Sequence, residues 1–241
     1  MNVNEIVRIV PTLKVNNRKL NERFYIETLG MKPLLEESAF LSLGDQTATE
    51  RLILEEAPSM RTRRVEGLKK LARLLIKVEN PSEIEGLLSQ MKPLPRLFKG
   101  NRGYAFEIVS PEEDVILVHA ENDVRDLVPL ETVPEFYSNT SIKYVSQFEV
   151  SMELRLPEGT ESLLDSEGVA PAITFTKGQG ADLAVENNVT WDLTMLKFLV
   201  RNFDLTSLRQ KFEKTGYFVP KSEKFFLGKD TNNIELWFEE A

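Results

Sequence analysis

The order β-α-β-β-β runs three times through the elements predicted along this chain, and such a repeat restricts the fold more than any single motif does. Residues 5–15 alternate as a strand, with Val7, Ile9, Pro11, Leu13 and Val15 on one face. Pro11 marks this strand as an edge or a bulge. A helix follows, capped by Asn16 or Asn17, with Leu20 and Phe24 four residues apart and Gly30 placed as a C-terminal glycine. Short strands are expected at 33–37, 39–43 and 51–56, with Gly44-Asp45 in a turn. Residues 71–79 start the order again. Pro81 opens a second helix through Leu87-Leu88, and strands are expected near 95–99, 103–109 and 114–120.

Residues 126–140 are acidic, weakly periodic and interrupted by Pro129 and Pro134. They read as a linker between a first domain over 1–125 and a more divergent second domain over 141–241. In the second, Phe148, Val150, Met152 and Leu154 share a strand face, and strands near 171–176 and 181–186 flank Gly178-Gln179-Gly180. A strand at 192–201, then a helix capped by Asp204 with Leu205, Leu208 and Phe212 as its stripe, leads to Gly216. Strands at 217–220, 224–228 and 233–239 complete the third copy. The fold class is α+β, built from paired β-α-β-β-β modules.

Composition narrows the chemistry. In 241 residues there is no Cys and one His. Disulfides, thiol nucleophiles and thiolate metal sites are excluded, and so is any multi-histidine metal site. A Ser-His-Asp triad would have to use His119. The net charge of −8 argues against a nucleic-acid partner. Residues 1–10 lack the basic and apolar segments of a secretory signal, and no run approaches the roughly 18 apolar residues of a membrane span. The expectation is a cytoplasmic protein, monomer or homodimer, without a membrane span.

Several motifs resemble the vicinal-oxygen-chelate (glyoxalase/bleomycin-resistance) superfamily. They are Leu13-Lys14-Val15, then Phe24-Tyr25 and Leu29-Gly30-Met31, and the turn and strand from Ser110-Pro111 through Asp114 to Val118. Lys229-Asp230 through Glu235-Leu236-Trp237 is a shorter copy of the turn and strand. The whole chain further resembles the streptococcal CppA family, through Ile9–Met31, the strand Thr190–Phe198 and the Ile234–Phe238 end. The superfamily resemblance implies two glyoxalase-like domains. The CppA resemblance implies a complement-C3-degrading proteinase homologue, which would act at the surface or outside the cell.

Metal-using members of the superfamily place His or Glu at four inward strand positions. By motif these fall here at Val10, near Ile53 with Glu55 two residues along, near Arg73, and at Leu117. In the C-terminal half they fall at Met195 and Glu235. Val and Leu cannot ligate and Arg repels a cation, so no metal, no cofactor and no metal-dependent lyase or dioxygenase activity is expected. Standard protease motifs are absent as well. Ser89-Gln90-Met91-Lys92 fits a Ser-x-x-Lys pattern, but at a helix end rather than a helix start, so the catalytic residues stay unknown.

Alternation places Arg8, Val10, Thr12, Arg73, Leu75, Leu117 and His119 on the face that lines the cavity in relatives, with Tyr104 or Phe106 beside them. Arg8, Thr12, Arg73, Tyr104 and His119 are the ligand-pocket candidates, and their mixture suits a small anionic or aromatic molecule. Residues 61–77 hold seven basic side chains against Glu66. That run is either a solvated loop or a docking surface. Two functions remain: a C3-degrading proteinase homologue, or a metal-free binding protein for a small ligand or a protein partner, without proteolytic activity.

Overall fold

Four modules are recognisable in the computed structural model, which describes residues 4–132, 134–137, 142–164, 169 and 172–241. The first holds β1 (Glu5–Val15), α1 (Arg18–Arg23, continued by a π-helical turn, Phe24–Thr28), β2 (Lys32–Glu37), β3 (Phe40–Gly44) and β4 (Glu50–Glu56). The second holds β5 (Leu71–Val78), α2 (Pro81–Gln90), β6 (Arg96–Gly100), β7 (Gly103–Val109) and β8 (Val115–His119). After the short β9 (Val128–Pro129), the third supplies β10 (Phe148–Pro157) and β11 (Ile173–Gly178). The fourth is β12 (Leu193–Arg201), α3 (Leu205–Lys211), β13 (Tyr217–Phe218), β14 (Phe225–Lys229) and β15 (Glu235–Glu240). Residues 133 and 138–140 of the expected linker, residues 1–3, and 171 at an expected strand start lie outside the described residues.

Local signals act as anticipated at the helix ends. Asn17 Oδ1 accepts the Leu20 N–H at 3.0 Å, and Asp204 Oδ1 accepts the Thr206 N–H at 3.0 Å. Pro81 takes the first turn of α2 behind its cap Asn80. Gly30 has φ +67°, the left-handed conformation that ends a helix. Two expectations are corrected. The strand expected at 181–186 is a 3₁₀ turn at Ala181–Ala184, so the third module has only two strands among the described residues. The strand carrying Pro11 is central rather than an edge, and the register of β1 with β12 shifts just beyond the proline, between Thr12 and Leu13, as expected of a bulge. It pairs with β12 on one side and β4 on the other. The proline is accommodated because the parallel ladder to β4 begins only at Thr12, so β4 does not call on its missing N–H.

The modules do not pair in chain order. One sheet runs β13-β14-β15-β12-β1-β4-β3-β2, which joins the first module to the fourth through β1 and β12. The other runs β11-β10-β5-β8-β7-β6-β9, which joins the second to the third through β5 and β10. Each sheet therefore takes strands from both sides of the 126–140 stretch. The sheets share one core. Leu13, Leu52, Phe198 and Leu236 enter it from the first sheet, Leu74, Ile76, Val118 and Met152 from the second, and Tyr25, Leu87 and Phe212 from the helical segments and their ends. No described helix is long and apolar enough to cross a membrane.

One buried carboxylate joins the sheets. Asp192 accepts the backbone N–H groups of Lys70 (2.6 Å), Leu71 (3.1 Å) and Leu193 (2.8 Å), and its own carbonyl accepts the Lys14 N–H at 3.0 Å. The starts of β5 and β12 are thereby tied to β1. Burial pushes the Asp192 carboxyl above its ordinary range, and the Lys69 ammonium with the three N–H donors opposes the shift. Around it part of the basic run folds inward, while Arg61, Arg63 and Arg64 stay exposed as in a solvated stretch. Arg63 makes a two-pronged contact with buried Asp182 at 2.7 Å, Lys69 pairs with Asp114, and Lys70 Nζ donates to the Val185 carbonyl at 2.7 Å. Asp192→Ala leaves three buried donors without an acceptor. It is expected to cost about 3–6 kcal/mol, read as a lower urea midpoint at constant m. Asp192→Asn keeps an accepting oxygen and is expected to lose less.

Candidate functional site

Strand register brings three of the positions considered for metal, Ile53, Met195 and Glu235, into one row on the first sheet. Ile53 of β4 is opposite Thr12 of β1, Thr12 is opposite Met195 of β12, and Met195 is opposite Glu235 of β15. The motif points to Val10 on β1. Register instead puts Thr12 in the row, with Val10 two residues away, opposite Lys197. The row offers one carboxylate and one hydroxyl, the buried Thr12 Oγ1, which has no hydrogen-bond partner. Nearby Glu55 is 3.3 Å from the Lys14 ammonium, which also donates to the Asn187 carbonyl at 2.8 Å. A protein cation already satisfies that carboxylate.

The other two positions lie on the second sheet, so the cup expected to unite Val10 and Thr12 with Arg73 and Leu117 is divided. Leu117 of β8 is opposite Leu75 of β5 and Glu107 of β7. Arg73 is opposite Glu153 of β10. Its guanidinium lies 3.6 Å from Glu107 and 3.9 Å from Glu153. Here too a side-chain cation stands between the carboxylates. Neither cup fits the divalent ion that the fold implies, since no group of three or more metal-ligating side chains converges among the described residues.

A cavity of about 690 Å³ opens against the second sheet. Its wall includes Leu75, Lys77, His119, Ser151 and Glu153 from that sheet, Arg8 from β1, Arg51 from β4, and residues 121–125. Thus Arg8 and His119, on different sheets, meet in one cavity. His119 is only 4% exposed, and its Nδ1 has no hydrogen-bond partner. Burial holds its pKa down at about 4, helped by the Lys77 ammonium and opposed by a backbone hydrogen bond at Glu121. The imidazole is neutral at pH 7. Arg8 makes no hydrogen bond or ion pair among the described residues, whereas Arg51 is held by Asp45 at 3.0 Å and Arg125 by Asp123. Lys77 Nζ donates to Asn122 Oδ1 at 3.0 Å.

The remaining candidates fall elsewhere. Thr12 is fully buried in the first sheet. Tyr104 shares the core-facing side of β7 with Phe106, packs edge-on against Phe136 at 5.0 Å and lies under the Lys99 ammonium. It does not line the cavity. Ser89 Oγ donates to the Gly86 carbonyl at 2.7 Å inside α2, and Lys92 is exposed, so the pair forms no buried dyad. Sequence reasoning missed Lys77, Ser151 and Glu153. Lys77 was within reach, since it alternates with Arg73 and Leu75. Ser151 and Glu153 alternate on β10, but their relevance depends on the pairing of β10 with β5, which no local pattern encodes.

Comparison with known proteins identifies the relatives. The profiles of the CppA N-terminal and CppA C-terminal regions match residues 8–130 and 145–238. The crystal structure of the cppA protein from Streptococcus pneumoniae TIGR4 is 66% identical, covers 99% of this chain and 100% of that one, and superposes with a TM-score of 0.97. A dioxygenase candidate from Bacillus subtilis is 12% identical over 99% of this chain and 86% of that one, with a TM-score of 0.58. A mutant of glyoxalase I from Zea mays is 11% identical over 98% of this chain and 94% of that one, with a TM-score of 0.54. These two share the fold, which is glyoxalase-like. Among curated proteins no match is found.

Two measurements follow from this geometry. The unfolded imidazole titrates near 6.5 and the folded one near 4, so between those values the unfolded chain holds a proton that the folded chain refuses. His119 is therefore expected to withdraw stability as pH falls from about 6.5 to about 4, on the order of 3 kcal/mol in all, with no further change below. The only imidazole signal in the NMR spectrum reports the midpoint, and His119→Asn is expected to flatten the stability profile in that window. Protein purified without chelator is expected to contain no stoichiometric Zn, Fe, Ni or Mn by elemental analysis. Adding those ions is expected to leave the melting temperature unchanged.

Proposed function

The chain belongs to the CppA family, and we propose that it is a binding protein in which fixed side-chain cations stand in place of the metal chemistry of its fold. Its ligand is a small molecule with an anionic group, taken up in the cavity against the second sheet. One observation carries this reading. The buried His119 Nδ1 lacks a partner on a wall that also presents the unpaired guanidinium of Arg8. Buried polar atoms are almost always satisfied, so an orphan on a cavity wall calls for a donor or acceptor from whatever enters. With its ring proton engaged toward the Glu121 backbone, the neutral imidazole presents Nδ1 as an acceptor for a ligand O–H or N–H, and a guanidinium fork matches a carboxylate or phosphate. Leu75 and Val124 supply apolar wall for the rest of the molecule, and about 690 Å³ is within the usual range for small-ligand sites.

The family resemblance also implies degradation of complement C3. Peptide hydrolysis by a nucleophile requires a hydroxyl or thiol within reach of its base. There is no thiol in the chain, and no described hydroxyl bonds to His119 Nδ1. The proposed function is binding without proteolysis, and it does not require the protein to leave the cytoplasm.

Benzoate and phenyl phosphate serve as probes, with the His119 imidazole followed by ¹⁵N–¹H NMR. Both are expected to shift it, and Arg8→Gln is expected to weaken them about tenfold. Purified protein incubated with C3 is expected to leave it intact. Cleavage that His119→Ala abolishes would overturn the reading in favour of a proteinase.

A further inference from the structure

A second cavity, of about 500 Å³, opens on the cup face of the first sheet. Its floor is apolar, formed by Ile53, Met195 and Trp237, and the β2–β3 hairpin leans Leu35 and Phe40 over it. Those two side chains are 60% and 43% exposed, an unusual investment of large apolar groups in solvent when they border a concave surface. Trp237 stacks on Phe225 with ring centres 3.8 Å apart and planes 15° from parallel. Its indole N–H already donates to Glu239 Oε2 at 2.8 Å. The indole therefore offers a visitor its π surface rather than a polar handle.

The charges around this cavity are one-sided. Lys197 is its one cation, and that ammonium is held between Glu50 at 3.2 Å and Glu239 at 2.9 Å. Glu50 is further fixed by the Ser42 hydroxyl at 2.7 Å. At the rim, Glu37 makes no ion pair or hydrogen bond among the described residues. Three carboxylates face a single, already neutralised lysine. An anion entering here meets no free cation and a surplus of negative charge. A cation meets a free carboxylate and an indole face, and both attract it.

We propose that this cavity binds a small organic cation, an aromatic or alicyclic body bearing a protonated amine. The body lies against Trp237, Met195 and Phe40, and the ammonium points to Glu37. The site is independent of the anion-binding cavity. It is walled by the first sheet alone and shares no lining residue with the other cavity.

Three probes of equal shape test the proposal: biphenyl-4-ylmethylamine, biphenyl-4-ylmethanol and biphenyl-4-carboxylate. The two indole N–H signals of the chain are the readout. Trp191 is the internal control, because its N–H is buried against the Ala57 carbonyl and Thr62 Oγ1. The amine is expected to shift the Trp237 signal and leave Trp191 still, and to bind about tenfold more tightly than the carboxylate. Glu37→Gln, an exposed substitution that leaves the fold alone, is expected to weaken the amine about two- to fivefold and the alcohol not at all. Equal affinity for amine and carboxylate overturns the proposal, as does an amine that leaves Trp237 unmoved at millimolar concentration. So does a dimer in sedimentation that Leu35→Glu dissociates, since this face would then be an interface between copies. None of these results touches the reading that rests on Arg8 and His119.

Discussion

Asp192 is a single carboxylate on which the relative placement of three first strands depends. Its side chain takes backbone donors from the starts of β5 and β12, and its carbonyl takes one from β1. Modules distant in sequence can form mixed sheets only if their first strands are held in register at one point. A fully buried anion with three donors is a directional way to do so. The cost of burying the charge shows in its raised pKa. Three donors and Lys69 offset that cost, and apolar packing on either side protects the bonds from water. The same logic organises the basic run. Arg63, Lys69 and Lys70 reach partners on the 181–186 segment or the 112–114 turn, so three of the seven clustered positive charges serve as internal fastenings.

A second regularity concerns the cups. Metal-dependent members of this fold need several carboxylates or imidazoles left free to converge on an ion. Here each carboxylate near the cup floors that keeps a close cation has one from the chain. Lys14 sits on Glu55, Lys197 between Glu50 and Glu239, and Arg73 between Glu107 and Glu153. A tethered ammonium or guanidinium neutralises the carboxylates as a divalent ion would, but it leaves no open coordination position. It cannot polarise a substrate oxygen or lower the pKa of a bound water.

Much of this is legible in the sequence. The α+β class, the module order and most strand positions follow from alternation, caps and turn glycines, because those signals act within a few residues. The unsuitability of Val10, Arg73 and Leu117 as ligands is equally plain, since Val and Leu carry no donor and Arg repels a cation wherever they lie. The pairing of modules is not legible. It is set by contacts between residues far apart in sequence, such as those of Asp192 with Lys70 and Leu71, more than 100 residues away. The differences at the site stem from that pairing. Alternation alone puts Thr12 and Arg73 in one cup, although they belong to different sheets. It leaves the direction of Tyr104 open, and only the packed sheet shows that Tyr104 and Phe106 both face the core.

The incomplete third module explains why the two cups differ in character. The first sheet is closed symmetrically, with the first and fourth modules each contributing four strands. Its cavity is walled by its own strands and takes its charge from them, three carboxylates against one lysine. On the second sheet the third module contributes only β10 and β11 among the described residues, so that sheet ends where the first continues for two more strands. Part of the wall is then supplied from outside, by the N-terminal end of β1, Arg51 and residues 121–125. Arg8 enters the cavity by that route. It comes from a strand whose neighbours in its own sheet give it no counter-ion, and it brings an unpaired positive charge beside a neutral, buried histidine. The loss of two strands thus does more than shorten a sheet. It lets the first sheet place a cation without a counter-ion in the wall of a cavity against the second.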